Sequence, residues 1–334
     1  TASNLNYVAG STVANGVLTG IGTNGAITIH SSAGCPRIVV DVIGAFLDAH
    51  QPPQSPRAPS WPNLSDPAVL PVGSTYYVYG SNLLVQGSPV RIPVRAVTDL
   101  TRTYPLTGSG SWDSATAEAL PTRPAWTNPT STDFWAPTVG RFGSTYVMFF
   151  AARRPGIAGG NDQCIGRAVA SSPAGPFVPD AGAFTCGVVT STSPNGGGAL
   201  DPEVFTAPDG SQYLLAAFSD TNQPIRVIPL DATGQKAGGI TVLAGLDFPW
   251  EYPFIENPSM VRTPGGDYLL AYSAGDWRTG SYSTATARCS GPLGPCTKAP
   301  ARSPWLVSGN DRSGTGGLTF FARADGTTMA AYAS

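Results

Sequence analysis

A single pattern recurs five times along the chain, and it limits the possible folds more than any other feature. The clearest copy is DPEVFTAPDGSQYLLAAFS, Asp201 to Ser219: a carboxylate, a short apolar run, a glycine-bearing turn, then an alternating strand with a tyrosine inside it. The other copies are DPAVLPVGSTYYVYGS from Asp66, APTVGRFGSTYVMFFAA from Ala136, ENPSMVRTPGGDYLLAYS from Glu256 and GGLTFFARADGTTMAAYAS from Gly316. Their starts lie about 70, 65, 55 and 60 residues apart, a period suited to propeller blades. Further strand-like runs follow at 90–97, 164–172, 225–230 and 283–289. Three or four short strands per repeat predict an all-β, five-bladed β-propeller over 64–334, because solenoid units are shorter, about 20 to 45 residues. No stretch keeps a helical period, so helix is expected to be nearly absent.

Charged residues make up only 12% of the chain and the net charge is -2. Nucleic acid or an anionic membrane surface would need a basic face, and none is present to offer one. No run approaches the roughly 18 to 20 apolar residues of a membrane span. Of the five cysteines, Cys164 and Cys186 flank one hairpin region and Cys289 and Cys296 bracket the turn SGPLGP. Two disulfides are expected, and with them a secreted or cell-wall-associated, monomeric protein. Cys35 is left over. His30 and His50 are the only histidines and there is no CxxC pair, which argues against zinc.

Residues 1–47 read as a separate β-rich piece, with strand-like GAITIHSS and PRIVVDVIGAF. The run SNLNYVAG…ANGVLTGIGTNGAITIHSSAG…IVVDVIGAF resembles a β-domain repeat of secreted actinobacterial cell-wall proteins, as the C-terminal part of a larger accessory domain. Residues 48–63, DAHQPPQSPRAPSWPN, carry five prolines and no periodicity, the signature of an extended linker.

In a propeller, every inner strand begins at the same end of the central channel. Asp66, Asp201 and Glu256 head copies one, three and four, and are expected to hold one equivalent position around a single funnel mouth. Like charges held close raise at least one pKa, leaving a protonated acid beside an ionised base. Hydrolysis of a glycosidic bond uses that pair: an acid for the leaving oxygen and a base for water. Taken singly, Asp-Pro or Glu-Asn-Pro does no more than start a turn; three in one register ask for chemistry. A carboxylate ring also suits a structural calcium on the axis, and no cofactor is required.

From about Trp61 to Ser334 the chain resembles glycoside hydrolase family 43, through SDPAV with YYVYGS, FWAPTV with YVMFF, LDPEVF with DGSQYLLAAF, IENPSMV with YLLAYS, and the tail YSTATARCSGPLGPCTKAP. The resemblance implies a five-bladed propeller that cleaves furanosides and xylosides with inversion. It implies Asp66 as general base, Glu256 as general acid and Asp201 as the group that orients and tunes the acid. Inversion expects acid and base roughly 6.5 to 9.5 Å apart with water between them. Two positions depart from the family pattern. A blade-five histidine is replaced by Gly316-Gly317, and the usual Gly or Ala after the glutamate is Asn257.

A sugar ring calls for a flat apolar platform. Trp135 and Phe134 are candidates at the head of copy two, with inter-blade packing as the alternative role. Trp250 and Tyr252 precede Glu256 and could wall the pocket. The loop AGDWRTGSY offers Trp277 and Arg278. Asp162 is expected in a solvated loop. The substrate expected is a polysaccharide or oligosaccharide, with arabinan or arabinogalactan first. Galactofuranosidase and β-xylosidase activities, or a non-catalytic carbohydrate-binding propeller, are the alternatives.

Overall fold

The computed structural model describes residues 61, 63–100, 115–156, 162–187, 197–220, 222–298, 304–308 and 313–333. The chain divides into two compact units, Thr1–Ser55 and Pro56–Ser334, and everything described lies in the second. The β-rich piece at 1–47, most of the linker, Cys35 and both histidines lie outside the described residues.

Each repeat folds as the pattern dictates. The apolar run forms an inner strand, a glycine turn reverses the chain, and the tyrosine-bearing run returns beside it. In blades one and two the turn is two residues long and opens on Gly73 (φ 60°) or Gly143 (φ 62°). A two-residue hairpin needs such a left-handed first position to match strand twist, and glycine takes it without cost. The third and fourth strands add in simple meander order, so the first four sheets run antiparallel from axis to rim. Blade three is Ala199–Thr206, Gln212–Phe218, Ile225–Leu230 and Thr241–Ala244; blade four is Ile255–Arg262, Tyr268–Ala274, Ser283–Cys289 and Cys296–Lys298. The fifth sheet pairs Gly316–Ala322 with Thr328–Ala333. A lone turn of 3₁₀ helix, Pro249–Glu251, is the only helical element among the described residues.

Every inner strand touches the next, and the strand from Gly316 touches the one from Ala68, so the five form a closed ring. Closure removes the exposed inner edges that an open sheet would leave. The core lies between blades rather than at one centre. One cluster joins blades one and two around Tyr79, Phe134 and Phe150; others join two to three around Phe149 and Phe218, and three to four around Phe205 and Tyr272. Both expected disulfides are present, Cys164–Cys186 and Cys289–Cys296, each between paired strands at the rim.

The axial end of the inner strand carries a bulge in blades two to five. The strand register skips between Trp135 and Thr138, Leu200 and Glu203, Glu256 and Ser259, and Gly316 and Thr319. The residue after the skip begins has a left-handed backbone in each of these four, as does its counterpart in blade one: Asp66 (φ 49°), Ala136 (42°), Asp201 (52°), Asn257 (46°) and Gly317 (59°). Proline follows four of them, and its missing N–H costs nothing where the bulge breaks the ladder. This register corrects the expected equivalence of the three carboxylates. Asp66 and Asp201 do share a position, but its counterpart in blade four is Asn257. Glu256 stands one step earlier, level with Trp135, Leu200 and Gly316.

Candidate active site

A bulge leaves backbone donors unpaired within its own sheet, and buried donors must find partners elsewhere. Neighbouring blades supply them. The N–H of Ala136 donates to Ser81 Oγ (3.0 Å), that of Asn257 to Asp201 Oδ2 (3.1 Å), and that of Gly317 to Ser273 Oγ (2.9 Å). A second tier repeats this one step deeper: Val204 N–H to Thr138 Oγ1 (3.1 Å) and Phe320 N–H to Ser259 Oγ (2.9 Å). These contacts both stitch the blades and aim the axial side chains.

The left-handed positions turn Asp66, Asp201 and Asn257 into the axis, where they line a cavity of about 30 Å³ with Glu203 and Thr319, room for about one water. Asp66 is half-buried and accepts from Ser81 Oγ at Oδ2 (2.5 Å) and from Asn257 Nδ2 at Oδ1 (3.3 Å). Asp201 is buried. Glu256, half-buried, meets the Tyr282 hydroxyl through Oε1 (2.8 Å), and the same hydroxyl lies 2.7 Å from Asn257 Oδ1. The structure therefore brings all three predicted carboxylates to one end of the channel. It adds Asn257, Tyr282, Ser81 and Glu203, to which the sequence reading assigned no role in the chemistry.

Burial pushes all of these carboxyls upward. For Asp66 the rise is opposed by the donors Ser81 and Asn257. Asp201 rises well above the usual range, through burial and then the negative charges of Glu256 and Asp66, against one backbone donor. Glu256 reaches about 7: burial leads, a Tyr282 hydroxyl that donated to the ionised carboxylate would oppose it, and Asp66 and Asp276 add to the rise. Glu203 also reaches about 7 by burial, against hydrogen bonds from Thr319, Thr138 and Ser259. Near neutrality the site cannot hold every carboxyl ionised. A proton retained on Glu256 beside ionised Asp66 is the division of labour that acid–base hydrolysis uses.

Tyr282 reaches Glu256 because blade five yields space. A Cβ on Gly316 would come within 2.0 Å of the Tyr282 ring. The glycines that replace the family's histidine are thus the floor on which Tyr282 lies. Among the described residues no three His, Cys, Asp or Glu side chains converge as a metal site. Both oxygens of Asp66 accept protein donors, and the blade-five side chain at the axis, Thr319, donates its hydroxyl to Glu203 (2.8 Å), so these groups are engaged with one another and do not fit the axial calcium.

The aromatic candidates separate. Phe134 is fully buried in the core between blades one and two and has no surface to offer a sugar, which corrects its candidacy. Trp135 is half-buried at the head of blade two, with the Arg153 guanidinium 4.9 Å over its ring. Asp133 and Asp162 hold that guanidinium, each at 2.6 Å. Asp162 is therefore a buried ion-pair partner, not a solvated loop residue. Trp250 packs partly into the core, stacks on Phe248, and lines a cleft of about 410 Å³ with Tyr252, Ser281, Ser283 and Val307. Ala274 pairs with Ile255, so the loop carrying Trp277 and Arg278 emerges at the same end of blade four as Glu256. Trp277 is 63% exposed and Arg278 is tied to Asp276 (2.8 Å).

The sequence model of glycosyl hydrolases family 43 matches residues 61–334. An extracellular endo-alpha-(1->5)-L-arabinanase of Thermotoga petrophila is 26% identical over 257 residues, covering 70% of this chain and 50% of that protein. The chain thus spans about half the length of the curated relative it matches. Solved structures share the fold. A thermostable family-43 glycoside hydrolase superposes with TM-score 0.63 at 23% identity, covering 80% of this chain and 83% of its own. An alpha-L-arabinofuranosidase from Lactobacillus brevis gives 0.60 at 20%, covering 80% and 82%. An endo-arabinase from Bacteroides thetaiotaomicron gives 0.56 at 20%, covering 80% and 88%.

Proposed function

Because the chain belongs to glycosyl hydrolases family 43, we propose that residues 64–334 cleave arabinofuranosyl linkages in arabinan or arabinogalactan by single displacement. Asp66 removes a proton from water as the water oxygen bonds to the anomeric carbon. Glu256 gives its proton to the departing glycosidic oxygen. Asp201 orients the site by accepting the Asn257 N–H and tunes Glu256 as its neighbour in the carboxyl cluster. The observation that carries this reading is the pairing at one channel mouth of a carboxyl held near 7 with one that takes two protein donors. The arabinanase and arabinofuranosidase names among the similar proteins support the sugar. Trp277, Arg278, Trp135 and the Trp250 cleft are the residues proposed to contact the glycan. The two disulfides and the extracellular relative support a secreted or cell-wall-associated setting. Residues 1–47 are proposed as an accessory piece joined through the linker 48–63, and the protein as a monomer.

The test is release of sugar from debranched arabinan, arabinogalactan and synthetic aryl arabinofuranosides, galactofuranosides and xylosides, by wild type and by Glu256→Gln. Loss of turnover in the variant, with glycan binding and melting temperature retained, supports the reading. A wild type that binds arabinan but releases nothing from any of these substrates would replace it with a carbohydrate-binding propeller.

A further inference from the structure

Tyr282 has one hydroxyl proton and two close oxygens, Glu256 Oε1 at 2.8 Å and Asn257 Oδ1 at 2.7 Å. It can donate to only one of them. The choice is made at the other end of the asparagine. Asn257 faces Asp66 Oδ1 at 3.3 Å, and an ionised carboxylate accepts only, so the amide must present its NH₂ there and its carbonyl to Tyr282. The carbonyl also accepts only, so the tyrosine proton goes to it. Tyr282 then turns a lone pair toward Glu256, and a favourable contact at that distance needs the proton on Glu256. Ser273, the remaining neighbour of the Tyr282 oxygen, bears on it as a donor.

We infer that Asn257 and Tyr282 form a directional latch that ties the protonation of Glu256 to that of Asp66, holding the ionised base and the protonated acid together as one state. The chain runs one way: Glu256 O–H to Tyr282, Tyr282 O–H to Asn257, Asn257 N–H to Asp66. Reversal requires a protonated Asp66, a flipped amide and an ionised Glu256. That reversed set is the state left after single displacement, when Glu256 has lost its proton to the leaving group and Asp66 has gained one from water. The two polarities therefore match the site before and after the reaction, and exchange with solvent resets it. Asn257 and Tyr282 act through the carboxyls and are positioning residues. The other charge on Glu256 comes from Asp276, which is itself paired with Arg278, while Glu256 in turn raises Asp201 across the blade junction. These act through space and set no direction. Gly316 is the clearance that lets Tyr282 complete the chain. The inference rests on the reading of Glu256 as acid and Asp66 as base.

The test is carboxyl ¹³C NMR titration of the full chain labelled at Asp and Glu side chains, with assignments from Glu256→Gln and Asp66→Asn. Tyr282→Phe removes the acceptor of the Glu256 proton, so the Glu256 midpoint falls by about one pH unit, the worth of one hydrogen bond. Asn257→Gly keeps the left-handed backbone and frees the tyrosine proton to turn on Glu256, so that midpoint falls as well. A midpoint that rises or stays put in Tyr282→Phe, or stays put in Asn257→Gly, overturns the latch, since Tyr282 would then be a plain donor to Glu256. Should Tyr282→Phe fail to fold, Asn257→Gly decides alone. With turnover in hand, the upper limb of kcat/KM moves with the midpoint. A wild type without turnover removes the hydrolase reading, while the titration still decides the latch.

Discussion

Glu256 titrates near 7, and this governs how single residues read out. The acid must carry its proton, so kcat/KM is expected to fall as pH rises through about 7. It falls again on the acid side as Asp66 takes a proton, giving a bell-shaped profile. Glu256→Gln and Asp66→Asn each lose about 10²- to 10⁴-fold in kcat, measured on a substrate with a poor leaving group. Gly316→Ala is expected to drive Tyr282 off Glu256, because the added methyl has no room; a lowered upper pKa of kcat/KM checks it. At this scale much was legible. Asp-Pro at 66 and 201 and Glu-Asn-Pro at 256 announced the carboxylates, since each heads a copy of the repeat. Tyr282 was not legible. It lies 26 residues from its partner Glu256, and only the hairpin between them brings the two together. Asn257 was noticed as a substitution, but its two-sided role needed the distances to Asp66 and Tyr282.

One element sets the approach of the blade-four strand to the axis. The 3₁₀ turn Pro249–Glu251 points Glu251 fully into the interior, where it accepts from Tyr272 (2.7 Å), from Lys298 (2.8 and 2.9 Å), and from the N–H groups of Asp247 and Phe248. Its own carbonyl accepts the N–H of Gly275 (3.0 Å), at the root of the Trp277 loop. Lys298 also reaches the carbonyl of Gly245. A buried pair with every lone pair used is costly to break on one side only. Lys298→Met is expected to lose about 3 to 5 kcal/mol, measured by urea unfolding, and to loosen the loop beside Glu256. Replacing the Cys164–Cys186 pair by alanines releases a 22-residue closure and costs about 3 kcal/mol by the chain-entropy relation, read from the same denaturant curve. Alternation alone located the strands: 225–230 and 283–289 match the observed ones residue for residue. What alternation could not show is the bulge. An inserted residue leaves composition unchanged while shifting register, which is why Glu256 looked equivalent to Asp66 when Asn257 is.

For the molecule as a whole, the ring closes without a covalent link among the described residues, through the fifth inner strand against the first. Tyr76 meets Phe321 edge to face at 6.2 Å, and Gly317 lies beside Asp66. Phe321→Ala is expected to cost about 3 to 5 kcal/mol and to lower the midpoint of a single unfolding transition. Stability should also follow pH. An ordinary glutamate ionises near 4.5, but Glu203 and Glu256 keep their protons to about 7 in the folded chain. Between those values the unfolded chain binds fewer protons, so stability falls as pH rises through that window and levels off above it. Glu203→Gln should flatten the fall, as seen in melting temperatures from pH 4 to 8. The five-fold period made the propeller readable from the chain alone, whereas the blade-to-blade hydrogen bonds, made by residues far apart in sequence, were not.

The left-handed bulge has a consequence for how such a protein can change over time. A backbone that bends this way tolerates glycine, asparagine and aspartate far better than other residues. Four of the five positions hold one of those three. Random substitution at the mouth of the channel is thus filtered by chain geometry toward side chains that are absent, that donate, or that ionise. Whichever blade acquires an acid there receives it already aimed at the axis, so Ala136→Asp should add a further inward carboxylate with the fold intact. The bend keeps a small vocabulary in stock at the one place where a new reaction would have to be written.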